Sequence, residues 1–312
     1  MPYDLSWIDD CASGIDLGRE NVAIKGAPSS DAAVGDDPRS SDTVNCVFVD
    51  NAKTLNYLIS ECREKANGRL LFRGQANLYG EIPLAGAYRS GKFEASPIVE
   101  RLLGKGEGCV VDEDVLDSYL GNSTMVPQFD NGRRPLPHYA LEGVLQQYGG
   151  DTRWLDVVDN IIVALWMATR TYVPFDGTFR YSGSRFPRKT VRDVVSEGRG
   201  RDDKVYLFCI AVRDEKPKFD SSYQRLLGLT EACEFDLLDL RLALPARFLR
   251  PHAQHASLLK WRRDNDTVGS SILAIASIPA GVALDLVGGS ELLSAASIFP
   301  EPEVDYGFAQ LC

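Results

Sequence analysis

The residues best suited to chemistry begin with Arg73, in the stretch Leu71-Phe72-Arg73-Gly74-Gln75. Arg69-Leu70-Leu71-Phe72 is a short apolar run that predicts a buried strand. An arginine ending that strand, followed at once by a turn on Gly74, would stand at the rim of a sheet. Its guanidinium is planar and permanently charged, and it grips a phosphate or carboxylate through two parallel hydrogen bonds. A structural ion pair is the other use of the same residue. A second arginine, Arg89, returns a short chain distance later, after a segment broken by Gly80, Pro83 and Gly86.

A second group lies between Tyr148 and Asp156. Leu141, Val144, Leu145 and Tyr148 recur at helical spacing, and Gly149-Gly150 closes that helix. Thr152-Arg153-Trp154-Leu155-Asp156 then reads as short and extended. Asp159 or Asn160 can cap the next helix, Ile161 to Ala168, which is apolar on every side and therefore buried. Charges so close to a buried helix must be paired or engage a ligand. Arg153 and Asp156 can pair with each other or with Arg73. A third group is Pro245 to His255, which places Arg247, Arg250, His252, Gln254 and His255 among apolar neighbours.

The elements that must position these groups read as follows. Val44 to Val49 is a strand. Leu55, Leu58, Ile59 and Cys62 mark a helix stopped by Gly68. A helix is expected from Asp112 to Leu120. Val205 to Val212 is a continuous β-prone apolar run, as in a central strand covered on both faces. Helical parts are expected between Ser221 and Leu244, a strand over Ile272 to Ile278, and a short helix after Ser290. Residues 1–45 form a polar, loop-rich lead-in, and 46–312 one domain. Residues 173–204 carry eight basic against five acidic side chains and read as an inserted surface loop able to hold an anionic target. The fold class is α+β, with a mixed, largely antiparallel sheet flanked by helices.

Composition sets bounds on this. The 312-residue chain carries a net charge of −10, which argues against a general binder of nucleic acid or anionic membranes. No apolar run approaches the ~20 residues a membrane helix needs, and no secretion signal precedes the domain, so a cytoplasmic protein without a membrane partner is expected. Seven scattered cysteines without C-x-x-C spacing read as reduced thiols. His138, His252 and His255 fit no zinc spacing, so no metal is expected. Walker, G-x-G-x-x-G and G-x-S-x-G motifs are absent.

Several of these stretches, in order, resemble the FRG domain family. Phe72-Arg73-Gly74-Gln75 resembles its name-giving motif, and Ile82-Pro83-Leu84 through Tyr88-Arg89 its proline-containing segment. Gln146-Gln147-Tyr148-Gly149 with Thr152-Arg153-Trp154-Leu155-Asp156 resembles its central motif, although Gln147 stands where histidine is usual and Val157-Val158 where Trp-Thr is usual. Val163 to Ala168, Arg250 to Gln254 and Ile298-Phe299-Pro300 are similar to its later motifs.

A looser analogy extends to ADP-ribosyltransferases, in several of which an aromatic-Arg-Gly strand holds the phosphates of NAD. It implies an ADP-ribosyltransferase-like fold, NAD as substrate and an unidentified macromolecular acceptor. The resemblance implies that Arg73, Gly74, Arg89, Tyr148, Thr152, Arg153, Trp154 and Arg250 bind the nucleotide. Asp156 and Gln254 would then meet the ribose as nicotinamide leaves. Those enzymes use a late glutamate, where this chain has Gln254. A non-catalytic nucleotide- or anion-binding module and an NAD glycohydrolase are the alternatives.

Overall fold

The computed structural model describes residues 17–23, 43–78, 92–94, 110–112, 136–147, 152, 154–175, 178–184, 204–219, 225–232, 235–261, 271–288, 295–300 and 304–307. Ten strands form one open sheet: β1 (Arg19–Ala23), β2 (Thr43–Phe48), β3 (Arg69–Gln75), β6 (Leu155–Val158), β9 (Lys204–Val212), β10 (Lys216–Phe219), β11 (Arg225–Glu231), β12 (Phe235–Asp239), β13 (Ala256–Trp261) and β14 (Ile272–Pro279). Their order in space is β1-β2-β14-β9-β3-β6-β13-β12-β11-β10. All described neighbours pair antiparallel except β2 with β14, which are parallel. Two small antiparallel pairs stand apart, β4 (Lys92–Glu94) with β5 (Val110–Asp112) and β7 (Arg170–Phe175) with β8 (Thr178–Ser184). The described helices are α1 (Ala52–Ala66), α2 (His138–Gln147), α3 (Ile161–Ala168), α4 (Leu240–Ala243), α5 (Leu249–Ala253), α6 (Ala280–Gly288) and α7 (Ala295–Ile298). The architecture is α+β, built on a mixed and mostly antiparallel sheet.

The core follows from strand alternation. Every residue from Val205 to Val212 in β9 is buried, so this central strand is covered on both faces. Val205, Leu207, Cys209 and Ala211 join Leu70 and Phe72 of β3 under α1, α3 and α6. Tyr206, Phe208, Ile210 and Val212 point the other way, into a cluster with Leu71, Leu155, Phe235 and Ile275. The apolar stripe of α1 is buried as its spacing requires, and Asn51 caps the helix by accepting the Thr54 N–H at 3.0 Å. That helix ends on Asn67 in the left-handed conformation rather than on Gly68. Gly68 serves β9 instead, because a Cβ there would lie 2.2 Å from the Val212 carbonyl oxygen. Asn160 caps α3, accepting from Ile162 and Val163 N–H.

Four stretches depart from the sequence reading. β3 does not end at Arg73 or turn at Gly74; it stays in register with β9 from Arg69↔Val212 to Gln75↔Tyr206. Gly74 is needed for a different reason. Its missing Cβ would lie 1.8 Å from the Ala164 carbonyl oxygen and 3.1 Å from Ala168 Cβ, so α3 rests directly on the strand backbone. Among the described residues of Ser221–Leu244, most belong to β11 and β12 and the one-turn α4 is helical, because Phe235–Asp239 finds a full ladder on β13. Part of the 1–45 lead-in is the sheet's edge strand β1. Part of the 173–204 segment is the β7–β8 pair, where Tyr172, Val173, Phe175, Thr178 and Phe179 are β-formers flanking the hairpin signal Asp176-Gly177. The Asp112–Leu120 helix lies, beyond Asp112, outside the described residues.

Two glycine substitutions test the Gly74 contact. Gly74→Ala should destabilise by about 3 kcal/mol or more, the upper range for overpacking, because the clash is with backbone that cannot rotate away. Gly281→Ala, in α6 with open space around it, should stabilise by about 0.4–1 kcal/mol. Denaturant unfolding of both variants checks this, and equal effects at the two sites would refute the contact.

Candidate functional site

The register pair between β3 and β6 is Phe72↔Val158. Beyond it β3 continues along β9, while β6 continues along β13 with Leu258↔Asp156. A cleft opens where the two strands part. Its walls include Arg73, Gly74, Gln147, Asp156, Met167 and Gln254. Its cavity is about 30 Å³, within about 310 Å³ of space when the open mouth is counted.

Arg73 reaches across this gap. Its Nη1 donates to the backbone carbonyl of Asp156 at 2.8 Å. The Asp156 carboxylate is held by neutral groups from the end of α2. Gln146 Nε2 donates to Oδ2 at 2.6 Å, and Gln147 Nε2 donates to Oδ1 at 3.0 Å. The Thr152 hydroxyl donates to Gln146 Oε1 and accepts the Trp154 N–H at 3.2 Å. Thr152 thereby fixes which end of the Gln146 amide faces the carboxylate. Asp156 exposes part of its surface into the cleft, yet protein surrounds the carboxyl closely. That burial raises its pKa above the usual carboxylate value, with the Arg73 charge and the two glutamine amides opposing the rise.

Late chain segments close the far wall. Gln254 is buried, and its Nε2 donates to the Ile298 carbonyl at 3.1 Å. The next residue, His255, has φ +54° and places Nδ1 3.0 Å from Asp159 Oδ1, while Arg241 Nη2 lies 2.7 Å from Asp159 Oδ2. These contacts join the start of α3 to the start of β13. Asp305 accepts the N–H groups of Leu249 and Arg250 and so caps α5 from a distance.

The structure therefore brings Arg73, Gly74, Asp156 and Gln254 to one cleft from distant parts of the chain. Arg250 sits behind it. Arg250 is 2% exposed, and its guanidinium donates to the Gln147 carbonyl at 2.9 Å and lies 4.8 Å from the Phe299 ring centroid. It anchors the end of α2 and does not line the cleft. Trp154 is 3% exposed and is likewise off the cleft wall, and Thr152 is a buried support for Gln146. Arg89, Tyr148 and Arg153 lie outside the described residues. Gln146 and Gln147 join the site without having been singled out for it. Their signal was a pair of carboxamides at the end of an apolar helix, the second of them on a buried position.

Among the described residues no group of three or more His, Cys, Asp or Glu side chains could hold a metal ion, and no helix is long and apolar enough to cross a membrane. No protein-family model, curated protein or solved structure matches the chain.

The buried carboxyl predicts a pH signature. With its pKa raised on folding, Asp156 binds its proton more tightly in the folded chain than in the unfolded one. The stability linked to that proton is complete below the ordinary carboxylate pKa, about 4, and is lost as pH rises through the folded value. Asp156→Asn cannot ionise, so its stability relative to wild type should increase from about pH 4 to about pH 7. Thermal melts of both proteins across that range measure the difference. A difference that shrinks with rising pH would make Asp156 a net-stabilising member of an ion pair with Arg73.

Proposed function

We propose that this protein is an ADP-ribosyltransferase-like enzyme that cleaves NAD at the bond between nicotinamide and ribose and passes ADP-ribose to a macromolecular acceptor. The observation that carries the reading is the desolvated Asp156 carboxylate, held by two carboxamides beside the Arg73 guanidinium in one cleft. The resemblance of the Phe72-Arg73-Gly74 strand to the FRG motif supports the same assignment. So does the adjacency of that strand to the strand carrying Asp156. On this reading the sheet has an ADP-ribosyltransferase-like arrangement, and segment 173–204 faces an anionic acceptor.

The chemistry asks little of the protein beyond electrostatics. Nicotinamide leaves with the electron pair of the C–N bond, and positive charge develops on the ribose. A fixed carboxylate stabilises that charge only as it appears, which is the condition for raising turnover. Arg73 supplies the anion grip for the pyrophosphate. The acceptor then adds its electron pair to the ribose and releases a proton. Asp156 takes the carboxylate role, because the Gln254 amide nitrogen is committed to the Ile298 carbonyl. Gln254 then shapes the wall. That same commitment favours a second reading, a nucleotide- or anion-binding module without turnover.

Purified protein incubated with NAD should release nicotinamide. Asp156→Asn should retain NAD affinity and lower turnover by about 10²–10³-fold, the loss expected for one electrostatic stabiliser. Arg73→Lys should weaken NAD binding, because lysine cannot reproduce the planar fork. Calorimetry and nicotinamide assays on the same preparations separate the readings. Tight NAD binding with no nicotinamide release, even with cell extract as acceptor source, would assign the binding module.

A further inference from the structure

Helix α5 has five residues and no side-chain cap of its own, since Phe248 stands at its N-cap position. A helix that short does not hold itself in water, and its first N–H groups need acceptors. Asp305 supplies them from far along the chain. Its Oδ1 accepts the Leu249 N–H at 3.2 Å, and its Oδ2 accepts the Arg250 N–H at 3.3 Å. Oδ1 also accepts the Gly307 N–H at 3.2 Å, so the carboxylate ties its own turn to the helix. Asp305 is 1% exposed. Its neighbour Tyr306 donates its N–H to the Arg247 carbonyl at 3.3 Å and meets the Phe248 ring edge-on at 5.3 Å. The Arg247 guanidinium lies 3.6 Å from the Tyr306 ring centroid. Residues 304–307 thus clasp the start of α5, and neither Asp305 nor Tyr306 lines the cleft.

The clasp holds a part of the site that faces Asp156. α5 carries Arg250, whose Nη1 donates to the Gln147 carbonyl at 2.9 Å, and it ends on Gln254 of the cleft wall. Gln147 in turn donates Nε2 to Asp156 Oδ1 at 3.0 Å. The two amides on Asp156 are therefore held differently. Gln146 is oriented by the Thr152 hydroxyl, whereas Gln147 is anchored through α5. The charge acting on Asp156 is Arg73 from β3, while α2 presents the two neutral amides and β13 places Leu258 opposite.

We infer that Asp305 is a positioning residue: by fixing the start of α5 it sets Arg250 against Gln147, and so keeps the Gln147 amide on the Asp156 carboxylate. Asp305 itself touches no reacting atom. Its hold on Asp156 stands apart from the NAD reading, and its bearing on turnover rests on that reading.

The test is a double-mutant cycle on the whole chain: wild type, Asp305→Asn, Asp156→Asn and the double variant, melted from about pH 4 to about pH 8. Asn keeps the shape of Asp305 but turns an NH2 group toward backbone N–H donors. The stability gained from Asp156→Asn is compared in the two backgrounds, which cancels the titration of Asp305 itself. Burial favours the neutral form of Asp156, and the Gln147 amide favours the ionised form. Loosening Gln147 raises the folded pKa of Asp156 further. In the Asp305→Asn background the gain should therefore be larger at neutral pH and level off at a higher pH. A clasp that only stabilises the fold lowers every melting temperature but leaves the two gain profiles superimposed. Superimposed profiles, or a profile moved to lower pH, overturn the inference. Tyr306→Ala keeps Asp305 and removes the ring contacts, so it should displace the profile in the same direction by less. It serves the same cycle if Asp305→Asn does not fold, and superposition there overturns the inference equally. Nicotinamide release by Asp305→Asn should fall by up to about 100-fold in kcat with KM little changed, since Arg73 is untouched. If wild type releases no nicotinamide while the pH profiles still diverge, the proposed function falls and the positioning role of Asp305 stands.

Discussion

The structure turns on the contact between Gly74 and the backbone of α3. Helix and strand approach until the Ala164 carbonyl occupies the place of a side chain. That approach fixes the wholly apolar α3 on the central sheet and buries Trp166, Ala164 and Leu165 completely or nearly so. It also shapes what happens at the neighbouring strand. β6 keeps one register pair with β3 and then parts from it, which would orphan the Asp156 carbonyl. Arg73 supplies the missing donor. A side chain thus does at this seam what backbone N–H groups do elsewhere in the sheet, and the parting of the strands becomes a cleft.

The electrostatics of that cleft depend on which donors hold Asp156. Two neutral amides satisfy its geometry without neutralising it. Arg73 offsets part of the burial penalty while giving Nη1 to a carbonyl. A carboxylate kept in this way remains available to charge that develops nearby, whereas one locked into a bidentate ion pair would be shielded from it. The Thr152–Gln146–Asp156 chain is a device for orientation. Each donor fixes the next, so the fold itself sets the orientation of the carboxylate.

Much of this was legible in the residues. The strand before Arg73, the helix after Asn160, the doubly covered β9 and the α+β class all follow from apolar runs whose neighbours in sequence are punctuation residues. Arg73, Asp156 and Gln254 could be named because charged or amide groups among apolar neighbours need a partner. The reason for Gly74 could not be read, because it depends on a helix some ninety residues later approaching the strand. A glycine after an arginine reads locally as a turn, and only the tertiary contact shows otherwise. β11 and β12 were obscured in the same way, since their ladder is completed by β13 from further along the chain.

The arginines show most plainly where counting charges stops being informative. Arg250 and Arg73 both carry guanidinium groups in motif-like surroundings, and both donate to a backbone carbonyl. They differ in what is left over. Arg250 donates to Gln147, the last residue of α2, whose carbonyl has no partner within its own helix. It also lies against Phe299 and is closed to solvent. Its work is finished by the fold, which makes it a cap for α2 and a tie between that helix and the closing segment. Arg73 keeps part of its surface in the cleft beside Asp156. Because Arg250 fixes the Gln147 backbone and Asp156 fixes its amide, Gln147 is the point where the structural network ends and the cleft begins. Arg250, itself held by Asp305, therefore acts on the site at a distance, by setting where α2 stops and so where Gln147 is presented.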